Sequence, residues 1–339
     1  MAPKSLELTP AGFHFFQSQL VKPVPIPRGT SLSGQTAIIT GSNGGLGFQC
    51  ALSLLGLGLS RLVMAVRTPS KGEDAAAKLR QKFPSAAVEV WQVDLLSYES
   101  IQAFAAKCET LDRIDFAILN AGAIEEKFKL GPEGHEIMFQ VNYLSTVLLS
   151  SLLLPTLKHK APSGKPGRLT IVNSGSALMP KFANAASDPF LPYYDDESKF
   201  DPMDSYTSSK ALGHFWIVKL AERVSADDVV VNLVDPGLVK GTSLHRNLNI
   251  VVKAIFTVVK ALTGRTMEQG ASTFIDAAVV RGKESHGSNV MDWELFHYNM
   301  AVYGPDGEKL RDRIWNETLS ALAFVDIDGI LNSLSRRAS

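Results

Sequence analysis

A tyrosine and a lysine four residues apart, Tyr206 and Lys210 in the stretch SYTSSK (205–210), form the pair in this sequence best suited to moving a proton. At that spacing on a helix two side chains lie on one face, one above the other. A phenol titrates near ~10, so acid and base work at neutrality needs roughly 3–4 kcal/mol of electrostatic help. An ammonium at close range in a partly dry site supplies much of that. The spacing therefore predicts a Tyr206 made more acidic by Lys210. Of the seven tyrosines only Tyr206 has lysine at +4. Taken alone, the pair reads first as two solvent-facing residues on a helix, since lysine is common there, and the rest of the chain has to decide.

A second stretch points to a phosphate-bearing ligand. TGSNGGLG (40–47) lies between an apolar run and a helix-like segment, so Gly41, Gly45 and Gly47 would permit a tight turn and a close backbone approach. Amides at the following helix start can cradle a pyrophosphate. The spacing GxxxGxG differs from both GxxxxGK[ST] and GxGxxG. Dinucleotide sites for NAD carry an acid about 20 residues further on. Here that region offers Arg67, with Lys71 nearby. An arginine matches a 2′-phosphate in charge and geometry, which favours NADP(H) over NAD(H). The alternative is an arginine that merely ends a strand.

The elements that must position these groups follow an alternating pattern. Apolar runs at 35–40, 61–66, 87–93, 114–120, 167–173 and 228–234 predict strands. Between them, 45–58, 71–83, 98–109, 133–158 and the segment carrying Tyr206 predict helices. Strands of continuous Val, Ile and Leu alternating with helices imply an α/β fold, a doubly wound parallel sheet of Rossmann type with helices on both faces. Ligands of such sheets bind outside the carboxyl ends of the strands. The long connections 175–204 and 236–266 follow strands and are the natural walls of a substrate pocket. Within them, Leu178, Met179, Phe182, Tyr193, Tyr194, Leu238 and Leu244 are candidate lining residues, and 250–262 is an apolar helix that would serve as a lid or as a core or dimer-packing helix. A final amphipathic helix is expected over 304–324.

Residues 1–33 read as an arm and linker before one domain, 34–339. Thr9 would cap a helix begun by Pro10, with Phe13, Phe16 and Leu20 on one face, followed by an extended KPVPIPRG (22–29). The arm is expected to pack on the body; weak membrane contact through 9–20 is the alternative. The 34 basic and 34 acidic residues cancel, which argues against a nucleic-acid partner. Cys50 and Cys108 form no CxxC and read as buried thiols, and HEIMF (135–139) lacks the second histidine of a zinc motif, so no metal is expected. No secretory signal and no uninterrupted apolar run of ~18 residues is seen, which points to an intracellular, cytoplasmic protein without a transmembrane span.

Taken together and in order over about residues 34–292, these segments resemble the short-chain dehydrogenase/reductase family in its single-domain form. The loop with Gly41, Asn43, Gly44, Gly45, Leu46 and Gly47 is similar to the family's cofactor loop. Asp94 and Leu95 in VDLL resemble the residues near the adenine, and Asn120-Ala121-Gly122 the motif that steadies the central sheet. Asn142, Ser174, Tyr206 and Lys210 resemble the family's catalytic tetrad, with Ser176 a second candidate for the serine. Pro236, Gly237, Leu238 and Val239 resemble the segment beside the nicotinamide. Within the family the likeness runs to retinol-dehydrogenase-like members and to reductases of fungal natural-product pathways. The resemblance implies an NADP(H)-dependent oxidoreductase, with hydride passing between nicotinamide and a lipophilic carbonyl or secondary alcohol. Ser174 would hold the substrate oxygen, Tyr206 would exchange its proton, Lys210 would acidify Tyr206 and grip the ribose, and Asn142 would position a relay water. Ser176, Tyr193, Tyr194 and Leu244 would face the substrate. A retinol-, steroid- or lipid-type alcohol dehydrogenase, a catalytically silent NADP-binding regulator, or a nucleotide-sugar epimerase would be the alternatives.

Overall fold

Six mainly apolar segments form the parallel strands of one sheet: β1 (Thr36–Thr40), β2 (Arg61–Val66), the partly exposed edge strand β3 (Ala87–Gln92), β4 (Phe116–Leu119), β5 (Gly167–Val172) and β6 (Val229–Val234). Every residue of β1, β4 and β6 is buried, as a strand covered on both faces requires. The computed structural model describes residues 2–12, 15–182, 184–242 and 250–335. Two three-residue strands, β7 (Asn289–Met291) and β8 (Glu294–Phe296), complete the order β3-β2-β1-β4-β5-β6-β7-β8, with only β8 antiparallel. Ile38 pairs with Val63 on one side and Ala117 on the other, which fixes the register at the centre. The eight-stranded α/β sheet agrees with the sequence reading, except that β7 and β8 had no signal: they are short and turn through Asp292 and Trp293, both at positive φ.

The helices, in chain order, are α1 (Phe15–Leu20), α2 (Gly45–Gly56), α3 (Pro69–Lys82), α4 (Tyr98–Cys108), α5 (Ile137–Phe139), α6 (Ser145–Lys160), α7 (Pro202–Arg223), α8 (Ile250–Thr263), α9 (Met267–Ile275), α10 (Gly304–Ala321) and α11 (Ile327–Ser335). Side chains of α2, α3 and α9 fill the core on one face of the sheet. Those of α4, α6 and α7 fill the other, with α10 and α11 packed outside them. The helix expected over 133–158 begins later, at Ile137, where Glu136 accepts the Phe139 N–H (2.9 Å), and it passes through a π-helical turn, Gln140–Leu144, before α6. The stretch Ile137–Lys160 is long and apolar enough to cross a membrane by length and composition, but 89 % of its apolar window is buried inside the protein, so it is a core helix.

The arm differs from expectation. Residues 9–12 are not helical, and the described helix spans Phe15–Leu20; Ala11 N–H donates to the body, to His297 Nε2 (3.2 Å). Phe16 and Leu20 are exposed, whereas the polar Ser18 and Gln19 are buried; Phe13 lies outside the described residues. Nearer the terminus, Ser5 is buried, accepts from Asn289 N–H (3.0 Å) through Oγ and from Tyr303 OH (2.7 Å) through its carbonyl.

Candidate active site

The carboxyl ends of the strands open into a cleft of about 1890 Å³. Its walls come from the turns after β1, β2, β3, β4, β5 and β6 and from α7, so residues remote in sequence meet there because the topology is parallel. Gly41, Asn43, Gly44, Gly45 and Leu46 line it after β1, Arg67 and Lys71 after β2, and Asp94 and Leu95 after β3. Asn120, Ala121 and Gly122 line it after β4, Ser174 and Ser176 after β5, Pro236, Gly237, Leu238 and Val239 after β6, and Tyr206 and Lys210 from α7. From the β2 turn to the β6 turn there are four strand spacings, roughly 19 Å, about the reach of an extended dinucleotide.

The glycine turn is welded to its neighbour. Asn120 Nδ2 donates to Thr40 O (2.9 Å) and Gly41 O (3.3 Å), and Ala121 N–H donates to Thr40 Oγ1 (3.0 Å). Gly41 needs its freedom, with φ at 66°, and Gly47 has no room: a Cβ there would lie 2.6 Å from both Asn120 Nδ2 and Gly41 O. Gly47 thus packs the turn rather than lining the cleft. At Gly44 and Gly45, by contrast, a Cβ would meet no protein atom within 4 Å and would fill cleft volume. This turn therefore fits a phosphate-bearing cofactor whose oxygens approach backbone amides. Arg67 and Lys71 stand exposed on the lip, neither in an ion pair among the described residues. Asp94 takes the Leu96 N–H (3.0 Å) on Oδ1, which shapes the turn after β3.

Tyr206 and Lys210 occupy the buried face of α7, at 9 % and 8 % exposure. Asp201 starts this helix by accepting from the N–H groups of Met203 (3.0 Å) and Asp204 (2.8 Å), and Pro202 sits at its first position. The two side chains do not behave as the spacing alone predicted. Burial pushes Tyr206 up to about 12, the nearby Ser174 hydroxyl opposes this, and Asp235 adds to it. Lys210 Nζ donates to Val172 O (3.0 Å), and burial lowers it to about 8 despite Asp235. Burial thus dominates the environment of Tyr206, and its upward direction is opposite to the acidification expected from Lys210. Ser174 and Ser176 are within 2.8 Å of each other, Oγ to Oγ, and both face the cleft.

Asn142 sits in the π-helical turn and both its amide hydrogens are used: Nδ2 donates to Ala123 O (2.9 Å) and Ser209 Oγ (3.0 Å), while Oδ1 accepts Ala123 N–H (2.8 Å). Its side chain fixes the loop after β4. A Cβ on Gly122 would come within 3.1 Å of Asn142 Oδ1 and 3.6 Å of Lys210 Nζ, so the three are tightly grouped.

The expected substrate contacts divide. Leu178, Met179 and Leu238 line the cleft. Tyr193 and Tyr194 do not: Tyr194 is buried and stacks on Phe139 at 5.3 Å, with Tyr193 edge-on at 5.6 Å. The segment holding them is pinned away from the cleft, since Glu317 of α10 accepts the N–H groups of Phe190 (2.9 Å) and Leu191 (2.7 Å). Phe182 is likewise buried in the core, against Phe215 at 5.3 Å. Leu244 lies outside the described residues. Sequence reading missed Asp235, buried beside both titrating groups although it directly precedes Pro236, and Gln19, Met203 and Met300, which reach the cleft from α1, α7 and the turn before α10. Among the described residues no group of three or more His, Cys, Asp or Glu is placed to hold a metal.

The family profile described as short chain dehydrogenase matches residues 35–186. The chain is 46 % identical over 338 residues to the short chain dehydrogenase/reductase mfmJ of Annulohypoxylon moriforme, covering 97 % of this chain and 98 % of that one. It is 43 % identical to the short chain dehydrogenase virL of Hypocrea virens, with 98 % and 97 % covered. Among solved structures, the RhlG/NADP active-site complex of Pseudomonas aeruginosa superposes with a TM-score of 0.59 at 24 % identity, covering 77 % of this chain and 95 % of that one. L-sorbose reductase of Gluconobacter frateurii, complexed with NADPH and L-sorbose, gives 0.59 at 21 % identity, with 80 % and 97 % covered. At such identities the structural likeness speaks for the fold, and the near full-length relatives speak for the family: this chain belongs to the short-chain dehydrogenase/reductase family.

Proposed function

We propose that the protein is an NADP(H)-dependent ketoreductase that reduces a carbonyl of a lipophilic small molecule, within a natural-product pathway. When bound, NADPH supplies a hydride to the carbonyl carbon. The glycine turn 41–47 would receive the pyrophosphate, Arg67 and Lys71 the 2′-phosphate, Asp94 and Leu95 would border the adenine, and 236–239 would border the nicotinamide. A preference for the 2′-phosphate rests on two exposed cations where an NAD site would carry an acid.

The observation that carries the reading is a phenol buried in the cleft, beside a serine hydroxyl and a lysine. A Tyr206 held up near 12 is protonated at neutral pH, the state an acid needs to give its proton to a developing alkoxide. With NADPH as the preferred cofactor, reduction is the direction expected, and in oxidation Tyr206 would act as the base. Ser174 donates to the same oxygen and stabilises its growing charge, with Ser176 orienting Ser174. Lys210, one helical turn from Tyr206 and lining the same cleft, is the cation placed to steady the phenol oxygen and the nicotinamide ribose. Asn142 acts by holding the backbone of Ala123. Ile124, Leu178, Met179, Met203 and Met300 offer the substrate an apolar, adaptable wall.

NADPH consumption against a panel of lipophilic ketones and aldehydes tests the activity; no consumption with any of them contradicts it. Arg67→Ala is expected to raise the KM for NADPH by about tenfold or more, the scale of a lost charge-assisted contact, and to leave that for NADH nearly unchanged. An unchanged NADPH/NADH ratio would remove Arg67 from cofactor choice.

A further inference from the structure

The turn after β6 is held by groups far away in sequence. Arg265 is 3 % exposed; its two terminal nitrogens donate to Pro236 O (3.1 Å) and Ser18 O (3.0 Å). It also pairs with Asp292 and stands 4.6 Å from the Trp293 ring centre. Ser18 Oγ donates to the same Asp292 carboxylate (2.9 Å). Beside this clamp, Gln19 accepts the Leu238 N–H (3.1 Å) through Oε1. A six-residue helix does not hold itself in water. Bonds to the body, with its polar side inward, therefore set the position of α1.

Gln19 is 7 % exposed, yet it lines the cleft beside Pro236–Val239. Its oxygen is committed to Leu238, and its NH2 has no partner among the described residues. The donor is thus oriented by one bond and available to a ligand at the β6 end of the cleft. Arg67 marks the other end, roughly 19 Å away by strand spacing.

We infer that Gln19 is a cofactor-contacting residue: its side-chain NH2 donates to the carboxamide of the bound nicotinamide, so that the N-terminal arm, clamped by Arg265, completes that half of the site. The inference rests on the NADP(H) reading above. An amide donor suits an amide carbonyl, and its second bond to Leu238 couples nicotinamide binding to the shape of the 236–239 turn.

Gln19→Met and Gln19→Glu separate the two roles, because glutamate keeps the acceptor for Leu238 and loses the donor. The measurements are equilibrium binding of NADPH and of adenosine 2′,5′-bisphosphate, which has no nicotinamide, and the fluorescence of bound NADPH. Both variants are expected to weaken NADPH by about tenfold and to leave the bisphosphate within about twofold, with a smaller shift of nicotinamide emission. Unfolding midpoints close to wild type show that the variants are folded. NADPH binding by Gln19→Glu as tight as wild type overturns the inference. So does equal weakening of both nucleotides, or a rise confined to the KM of the carbonyl substrate. Wild-type protein that binds neither nucleotide instead contradicts the underlying NADP(H) reading.

Discussion

Tyr206 and Lys210 show how spacing and environment divide the information at a site. Their positions on one face of α7 followed from a four-residue interval; their protonation did not, because burial and Asp235 arrive from other elements. Lysine ordinarily titrates at 10.5, and burial brings Lys210 to about 8. Below about 8 the residue is an ammonium in folded and unfolded chains alike, and the fold bears the whole burial cost. As pH rises towards 10.5 the folded chain loses its proton first and that cost fades. Lys210→Met is therefore expected to stabilise the ligand-free protein at pH 7 by on the order of 1–3 kcal/mol, with a gain that shrinks towards pH 10. Denaturant melts at several pH values check this; a loss of stability at pH 7, or a gain independent of pH, contradicts it. Such a substitution would trade activity for stability, as functional sites commonly do.

At the scale of elements, the central strands were legible because a strand buried on both faces has to be a continuous apolar run, the edge strand β3 because its Val and Trp are interspersed with polar residues, and the glycine turn because Gly41 has φ at 66°. Gly47 makes the last point quantitatively. Its missing Cβ is space taken by Asn120 and Gly41, so Gly47→Ala is expected to cost about 2 kcal/mol or more of stability through overpacking and to weaken NADPH binding by more than about tenfold. Wild-type melting and nucleotide affinity in that variant would show that the weld between the turns after β1 and β4 is dispensable. What the sequence hid were features whose signal is non-local or short. β7 and β8 have three residues each, too few for a pattern. Tyr193 and Tyr194 were expected at the pocket because aromatic residues suit one, yet they serve the core equally well, and only Glu317 on α10 decides between the two. In the arm the apolar Phe16 and Leu20 invited the reading of a packed face, while the buried contacts belong to Ser18 and Gln19, whose partners lie more than 200 residues away.

The whole molecule is built on a mostly parallel sheet, covered by helices on both faces, that gathers one turn from each of six strands into a cleft, with the N-terminal arm at one end and α7 behind it. The arrangement separates binding from proton transfer: the turns after β1 and β2 carry the groups suited to the nucleotide, and α7 carries the phenol. A variant that removes only the phenolic oxygen should therefore leave the nucleotide site whole. The most direct test is Tyr206→Phe, assayed for NADPH binding and for single-turnover reduction of a carbonyl substrate accepted by the wild type. The account predicts NADPH affinity within about twofold of wild type and a rate lowered by about 10³-fold or more, the range set by losing a positioned general acid. A rate within about tenfold of wild type, with NADPH bound, would contradict the assignment of Tyr206 as the proton donor.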